Sequence, residues 1–175
     1  MPKYKKIYKL TILLYYIVMV KNQLLICLLI FMFSDLYASN YIDKGYYVID
    51  LRNKIDWLKC TAGQQWSDEK KSCLGNPIKL DVDSIKEANS MLDQQIEGNW
   101  RLPTRKELES IVCKNCEGVK INKELFPNTP AEPFWTSQRN WWSPKFFWSV
   151  NFFTGHSYGR FVPEKELFVR FVKDR

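Results

Sequence analysis

Four of the five cysteines lie between residues 60 and 116, and they are the residues whose spacing most directly suggests chemistry. If the chain is exported, their even number is typical of two disulfides, for which three pairings exist. We expect Cys60 to pair with Cys73 and Cys113 with Cys116. The first bond would close a polar loop of about 14 residues and contribute roughly 3 kcal/mol of stability by restricting the unfolded chain.

Two other uses of these cysteines remain open. The Cys113-Lys114-Asn115-Cys116 spacing also suits thiol redox chemistry or half of a zinc site. Redox pairs usually begin a helix, where the helix dipole lowers the pKa of the first thiol, whereas this pair follows a predicted helix. Twelve residues separate Cys60 from Cys73, which is wider than the usual spacing of a zinc-ligand pair.

Aromatic and basic residues near the C-terminal end predict a binding surface. Trp141 and Trp142 lie in a polar stretch, where at least one indole should be exposed and able to stack on the apolar face of a sugar ring. Five cationic or titratable side chains flank them and could meet sulfate or carboxylate groups. They are Arg139, Lys145, His156, Arg160 and Lys165. The alternative is that these are solvated charges at loop tips.

Catalysis and metal binding find little support. His156 is the single histidine, and no serine or cysteine stands at a spacing diagnostic of a nucleophile system. Asp81 and Asp83 precede a predicted helix and are expected to stabilise its dipole. A calcium-dependent lectin site needs a carboxylate and amide cluster, which the Glu132-Pro133-Phe134 stretch does not provide. We therefore predict no enzyme activity, metal ion or cofactor.

Helix-start chemistry places two helices ahead of these residues. Thr104 and Glu107 have the capping-box spacing, and Pro103 before them disfavours helical geometry at Leu102. We expect an extended segment that turns into a helix at Thr104. A second capping box is predicted at Ser84 and Glu87, with Gly98 ending that helix.

Alternating apolar residues predict strands around the helices. The stretch 46–51 is apolar and β-prone, and 146–153 alternates with a period of two before a turn at Thr154-Gly155. Residues 158–162 and 167–172 should complete an antiparallel C-terminal sheet. The proline-rich stretch 122–133 is expected to be an ordered loop. Trp135 and Trp148 fall on strand positions and are expected to be in the core.

The N-terminal residues indicate export. Lys21 precedes an apolar run from Leu24 to Phe33, and Ala38 offers a small residue for cleavage, which is typical of a signal peptide. The true start would then be Met19, and the mature chain would begin near Ser39. An upstream apolar block at 10–20 leaves the alternative of an uncleaved membrane anchor, although Lys21 would then lie inside the bilayer at a cost of about 2.5–3.5 kcal/mol.

The charge distribution argues against nucleic-acid binding. Five lysines and one aspartate give residues 1–38 a net charge of +4, which leaves +3 of the formal +7 to residues 39–175. A nucleic-acid-binding domain needs a concentrated basic footprint. Residues 39–175 suit one domain with one core, so membrane contact is expected only through residues 1–38.

Six ordered motifs resemble the family named after the C-terminal domain of the Legionella collagen-like adhesin, over residues 46–173. Chief among them is Trp100-Arg101-Leu102-Pro103-Thr104, followed by Glu107; the others are Cys60 to Gly75, 121–130, 134–137, 148–155 and 168–172. The resemblance implies an α+β, compact C-type-lectin-like domain with two helices, on a secreted or surface protein.

The resemblance also suggests a ligand class. The adhesin that gives the family its name binds sulfated glycosaminoglycans, which implies carbohydrate or a surface protein as partner. Rival interpretations are a structural domain of a periplasmic or surface assembly and an enzyme similar to the formylglycine-generating family. The copper-binding cysteine pair of that enzyme has no counterpart here.

Overall fold

The computed structural model describes residues 18–23 and 40–175. Residues 18–23 are helical and belong to a unit separate from residues 40–175. The predicted apolar run, the cleavage site and most of the alternative anchor lie outside the described residues and stay predictions. Among the described residues, no helix is both long enough and apolar enough to cross a bilayer.

Residues 40–175 contain eleven strands and two helices, in agreement with the predicted α+β class, with strands predominating. The strands of the first half are β1 (Tyr41–Asp43), β2 (Tyr47–Asp50), β3 (Ile55–Leu58), β4 (Gln65–Ser67), β5 (Ser72–Leu74) and β6 (Lys79–Leu80). The helices are α1 (Val82–Gln95) and α2 (Arg105–Ser110). The strands of the second half are β7 (Pro133–Arg139), β8 (Phe147–Asn151), β9 (His156–Phe161), β10 (Leu167–Phe168) and β11 (Val172–Asp174).

The strands form three sheets. One has the order β1-β2-β3-β11, the second has the order β6-β10-β7-β8-β9, and β4 pairs with β5 as a separate hairpin. The second sheet was predicted to be antiparallel, but β10 pairs with β7 in parallel. The alternation of apolar residues does not tell which strands become neighbours, so it could not reveal this pair.

Apolar clusters cover both faces of the five-stranded sheet. Phe134 and Val150 pack into one cluster with side chains of β2, β3, β11 and α2. Trp135 and Phe147, on the opposite face, pack into another with Ile85 of α1. Trp135 is in the core as predicted, whereas Trp148 is half-buried. The sheet is therefore the central layer that carries the loops beyond its ends.

The first helix begins earlier than predicted. Asp81, rather than Ser84, is the N-cap, and its carboxylate accepts from the backbone N–H of Ser84 at 2.7 Å. Both residue types can cap a helix, and here the aspartate three residues upstream takes that position. The helix also ends at Gln95, before Gly98, with Ile96 as its C-cap.

The second helix begins as predicted. Thr104 Oγ1 accepts from the Glu107 backbone N–H at 3.2 Å, and a Glu107 carboxylate oxygen accepts from the Thr104 N–H at 2.6 Å. The same carboxylate receives two bonds from the Arg101 guanidinium, at 2.9 and 3.0 Å. Arg101 also binds Asp174 of β11. The motif is thus a corner that ties α2 to an edge of the four-stranded sheet, with Trp100 and Pro103 buried beside it.

The predicted last strand, 167–172, is in fact two strands in different sheets. Between them lies Arg170, which is fully buried. Its guanidinium donates to the carbonyl oxygens of Leu58 and Lys59 and to Thr129 Oγ1 at 2.7 Å. Burial lowers its pKa, because the charged form is desolvated. These bonds hold the point where the chain passes from one sheet to the other.

Both predicted disulfides are formed. Cys60 is bonded to Cys73 and Cys113 to Cys116, so all four cysteines are oxidised within the domain. Cys73 pairs with Trp66 in the β4–β5 hairpin, and the first bond ties this hairpin to the end of β3. The second closes a four-residue loop after α2.

Candidate functional site

The loop between β7 and β8 is held by a compact set of hydrogen bonds around Asn140. The Asn140 backbone N–H donates to the Phe146 carbonyl at 2.7 Å, and its side-chain carbonyl accepts from the Trp142 N–H at 3.0 Å. Its side-chain amide donates to the Gly159 carbonyl of β9 at 2.8 Å. Asn140 therefore holds the loop together through two of these bonds and ties it to β9 through the third.

Two indoles extend from this fixed loop into solvent. Trp141 and Trp142 have 71% and 73% of their surface exposed. Their rings lie 3.6 Å apart between centroids with an interplanar angle of 31°. The prediction that at least one is exposed is confirmed for both. Because one indole covers a face of the other, each retains one outer face exposed to solvent.

Three cationic side chains lie against aromatic rings around the loop. The Arg139 guanidinium is 4.4 Å from the Phe147 ring centroid, and the Arg160 guanidinium is 4.7 Å from that of Tyr158. Lys145 Nζ is 4.9 Å from the ring centroid of its neighbour Phe146. Arg139 also donates to the Pro144 carbonyl at 2.9 Å. Within residues 40–175 none of these three cations forms an ion pair with a carboxylate.

Strand register brings these residues to one end of the sheet. Arg139 on β7 is opposite Phe147 on β8, which is opposite Phe161 on β9. Arg160 precedes Phe161 at the same end of the sheet, but it projects from the other face because neighbours along a strand alternate. The loop with the indoles connects the first two of these strands at the same end. We call this set the aromatic–basic surface; it consists of Arg139, Trp141, Trp142, Lys145 and Arg160.

Two of the candidate residues lie elsewhere. His156 is at the other end of β9, opposite Asn151, about 13 Å along the strand from Arg160 at 3.3 Å per residue. It lines a separate cavity of about 640 Å³ with Arg105 and Trp148. Lys165 lies in the turn after β9, between the exposed carboxylates Glu164 and Glu166. The prediction grouped His156 and Lys165 with the residues around the tryptophan loop because the sequence does not show at which end of a strand each residue lies.

Sequence reasoning missed the residues that support the aromatic–basic surface. Gly159 lies against Trp148, and a Cβ atom added at Gly159 would be 2.9 Å from both the Trp148 ring and the Asn140 amide. Arg105 lies over the Trp148 ring at 4.3 Å. A glycine inside a strand is a signal of close approach by another group, and that signal was available in the sequence.

The comparison with protein families decides the family. The sequence model of the Lcl C-terminal domain matches residues 46–173. The chain belongs to the Lcl C-terminal domain family. Comparison with the curated proteins and with the solved structures gave no match. The likeness of this Lcl C-terminal domain to C-type lectins therefore stays a prediction.

The family match places the structural motif and the aromatic–basic surface inside the Lcl C-terminal domain. The matched range includes both disulfides, the Trp100–Glu107 corner and the whole of β7 to β9. In residues 40–175 no group of three or more histidine, cysteine, aspartate and glutamate side chains is placed to hold a metal ion. The exposed residues of the domain include the aromatic and cationic side chains of the aromatic–basic surface.

Proposed function

We propose that this protein is an exported bacterial binding module that recognises acidic glycans through the aromatic–basic surface. It would act in the periplasm, at the cell surface or in the medium, with a C-type-lectin-like architecture. The observation that supports this most is the pair of exposed indoles on a loop fixed by hydrogen bonds, beside three cations without ion-pair partners in the described chain.

The chemistry of the surface suits a sugar that carries sulfate or carboxylate groups. The outer faces of Trp141 and Trp142 offer flat apolar area for the C–H face of a pyranose ring. Arg139 and Arg160 can form bidentate hydrogen bonds with an oxyanion, and Lys145 adds a point charge. Since the cations lie on rings instead of carboxylates, a ligand need not displace an internal ion pair to reach them.

The preorganised loop lowers the cost of binding. Ordering a flexible side chain at an interface costs about 0.5–1.5 kcal/mol, and this part of the cost is reduced when the loop is already fixed. The Asn140 bonds to Phe146, Trp142 and Gly159 supply that order. An inert structural domain has no need for two stacked indoles held in solvent, because exposed apolar area carries a risk of aggregation.

The test uses the protein recovered from cells that express the whole reading frame. Its binding to immobilised heparin, and to heparin from which sulfate has been removed, is measured by surface plasmon resonance at several salt concentrations. We expect sulfate-dependent binding that weakens with salt, because exposed charges are screened. The Trp141→Ala/Trp142→Ala variant should lose about tenfold or more in affinity, as expected for the loss of central aromatic contacts.

Phe153→Ala is the matched control. Phe153 is also a solvent-exposed aromatic residue, with 64% of its surface exposed, but it lies in the turn between β8 and β9. We expect this variant to bind like the unaltered protein. Equal binding by the double tryptophan variant, or equal loss in Phe153→Ala, would contradict the proposed site.

A further inference from the structure

The Cys113–Cys116 disulfide closes a surface loop that contributes little to the core. Lys114 and Asn115, inside the loop, are exposed, and both cysteines are partly exposed. Of the described residues 113–120, Val119 is the one that packs against an apolar cluster. The loop can therefore be approached by a partner, and its opening would disturb few core contacts.

Hydrogen bonds outside the disulfide hold the base of this loop. Val112 and Ile121 pair as an antiparallel bridge. The Cys113 N–H donates to the Lys120 carbonyl at 3.0 Å, and the Lys120 N–H donates to the Phe152 carbonyl at 2.6 Å. Cleavage of the disulfide would therefore free the turn inside the loop while the base of the loop stays attached to the domain.

The Cys60–Cys73 disulfide is more protected. Cys73 has 1% of its surface exposed and is paired with Trp66 in the β4–β5 hairpin. A thiolate that reduces a disulfide attacks one sulfur and expels the other, so attack at Cys60 would leave a thiolate on Cys73. A thiolate is disfavoured in a buried site because it loses its hydration. The fold therefore favours exchange at Cys113–Cys116.

A cation beside the exposed loop favours the same bond. Lys120 Nζ donates to the Cys116 carbonyl at 2.7 Å, and within residues 40–175 it has no carboxylate partner. By contrast, the Lys59 ammonium, next to Cys60 in sequence, is paired with Asp43 at 2.9 Å. A neighbouring positive charge stabilises a thiolate. Cys116 is therefore the favoured leaving sulfur when the bond breaks.

The loop also supplies part of the cavity around His156. Lys114 lines this cavity, with Glu109 and Ser157 on other parts of its wall. Ser157 Oγ donates to Glu109 Oε1, so these two residues are held to each other by α2 and β9. Lys114 is the lining residue that lies between the two cysteines. The position of this cation is the property of the cavity that the disulfide controls.

We propose that the Cys113–Cys116 disulfide is a redox switch of the cavity around His156. A partner that carries two thiols reduces this bond in the folded protein, while the Cys60–Cys73 bond stays oxidised. Reduction frees Lys114 from the cavity wall and so changes the charge that the cavity presents. Oxidation restores the closed loop.

The exchange takes place in two steps. A thiolate of the partner attacks Sγ of Cys113, a mixed disulfide forms, and the Cys113–Cys116 bond breaks with its electron pair left on Cys116, which takes up a proton. The second thiolate of the partner then attacks the partner's sulfur in the mixed disulfide and releases Cys113, which is also protonated. The partner loses two electrons and becomes a disulfide, and the domain gains two thiols.

The experiment follows reduction of the whole folded protein by dithiothreitol, which is a dithiol. Samples taken over time are alkylated and digested, and mass spectrometry measures the fraction of each cysteine that carries the label. We expect Cys113 and Cys116 to react at least about tenfold faster than Cys60 and Cys73, because exchange depends on access to the sulfurs. In concentrated guanidinium chloride the two bonds should react at similar rates, since the fold no longer protects Cys73.

Two lysine variants test the role of the neighbouring charge. Lys120→Gln should slow the reduction of Cys113–Cys116 severalfold and leave that of the other disulfide unchanged, because the leaving thiolate loses its cation. Lys106→Gln is the matched control, since Lys106 is an exposed cation on α2 that does not line the cavity. Equal rates in the two variants would remove the assigned role of Lys120.

The single histidine reports on the cavity. The ring signals of His156 are followed by NMR during the same reduction, and we expect them to shift as Cys113 and Cys116 become thiols. The Cys113→Ser/Cys116→Ser variant should show the shifted signals without any reductant. Circular dichroism should stay unchanged at this stage, because the base of the loop is held by other bonds.

Three outcomes would overturn the proposal. They are equal reduction rates for the two disulfides in the folded protein, reduction of Cys113–Cys116 only after unfolding, and reduction that leaves the His156 signals unchanged. The Trp141→Ala/Trp142→Ala variant should be reduced at the unaltered rate, so failure of this proposal and failure of the proposed glycan site are distinguishable.

Discussion

Arg139, Lys145 and Arg160 each lie against an aromatic ring. A contact of this kind at an exposed position contributes about 0.5–1 kcal/mol and does not neutralise the cation. A carboxylate partner would have oriented the same side chains but cancelled their charge. The arrangement therefore orients the cations without neutralising their charge, as the proposed anionic ligand requires.

Arg139→Ala should weaken heparin binding by about fivefold, or roughly 1 kcal/mol, because the variant loses one charge-assisted contact. It should also reduce the salt dependence of binding. The measurement is the dissociation constant at several salt concentrations. Lys106→Ala is the control, since Lys106 is an exposed cation on α2 outside the surface. Equal effects of the two substitutions would show that net charge alone governs binding.

The carboxylates around Arg101 predict a loss of stability in acid. Burial acts to raise the pKa of Glu107, but hydrogen bonds from Arg101 and from the Thr104 backbone outweigh it, so this pKa is lowered. Hydrogen bonding to Arg101 also lowers the pKa of Asp174. Groups with lowered folded-state pKa values stabilise the fold above their unfolded values of about 4, and this contribution is lost as the pH falls through the folded values.

We therefore expect the free energy of unfolding to fall as the pH drops below about 4, measured by urea denaturation. Arg101→Gln should be less stable at pH 7 and should lose less stability on acidification, because the depressed pKa values depend on the guanidinium. A variant with the same acid dependence as the unaltered protein would contradict this account.

Individual residues were predictable where their local chemistry decided their position. Trp141 and Trp142 stand among polar residues, and both are exposed. His156 was grouped with them because it is near in sequence to Arg160, but register places it at the opposite end of β9. Arg170 fell within an apparently regular strand, and nothing in its neighbours showed that it would be buried.

At the scale of elements, the two helix starts show what local rules can decide. Thr104 has no competing cap, since Pro103 and Leu102 precede it, and its capping box is as predicted. Ser84 has Asp81 three residues upstream, and the aspartate is the cap that the structure uses. Propensity ranks the two residue types as nearly equal, so the choice depends on how the chain arrives from β6.

Three alanine substitutions test this assignment. Thr104→Ala and Asp81→Ala should each lower the free energy of unfolding by about 1 kcal/mol, because each removes an N-cap. Ser84→Ala, in the helix that Asp81 caps, should lower the free energy of unfolding much less. The measurement is chemical denaturation at pH 7. A larger effect for Ser84→Ala than for Asp81→Ala would show that Ser84 is the N-cap, as the sequence predicted.

The predicted last strand shows where an apolar sequence pattern fails to predict the sheet structure. Residues 167–172 are apolar except for Arg170, a pattern that is consistent with one buried strand. The chain instead crosses between two sheets at Arg170, whose guanidinium donates to the carbonyl oxygens of Leu58 and Lys59. Those partners are more than a hundred residues away in sequence, so no local signal could show them.

At the scale of the whole molecule, the α+β class and both disulfides were predictable and the sheet order was not. Cysteine count and spacing restricted the pairings to three, and the polar loop favoured the one that is formed. The parallel pairing of β10 with β7 depends on the chain returning to the side of β7 after it has formed β8 and β9.

Removal of the two disulfides should have unequal effects. The chain-entropy relation predicts a loss of about 3 kcal/mol for the loop of Cys60–Cys73 and about 2 kcal/mol for that of Cys113–Cys116. Paired serine substitutions at each bond, compared by urea denaturation, provide the measurement. A larger destabilisation from the shorter loop would contradict the entropic account.

The most direct test of the glycan-binding claim is an NMR titration of the indole N–H signals with a sulfated heparin tetrasaccharide. The sequence contains seven tryptophans, so each signal can be assigned by single substitution. We predict that the Trp141 and Trp142 signals shift and saturate, while those of the buried Trp57, Trp100 and Trp135 do not. Unchanged Trp141 and Trp142 signals, or shifts confined to other tryptophans, would contradict the account.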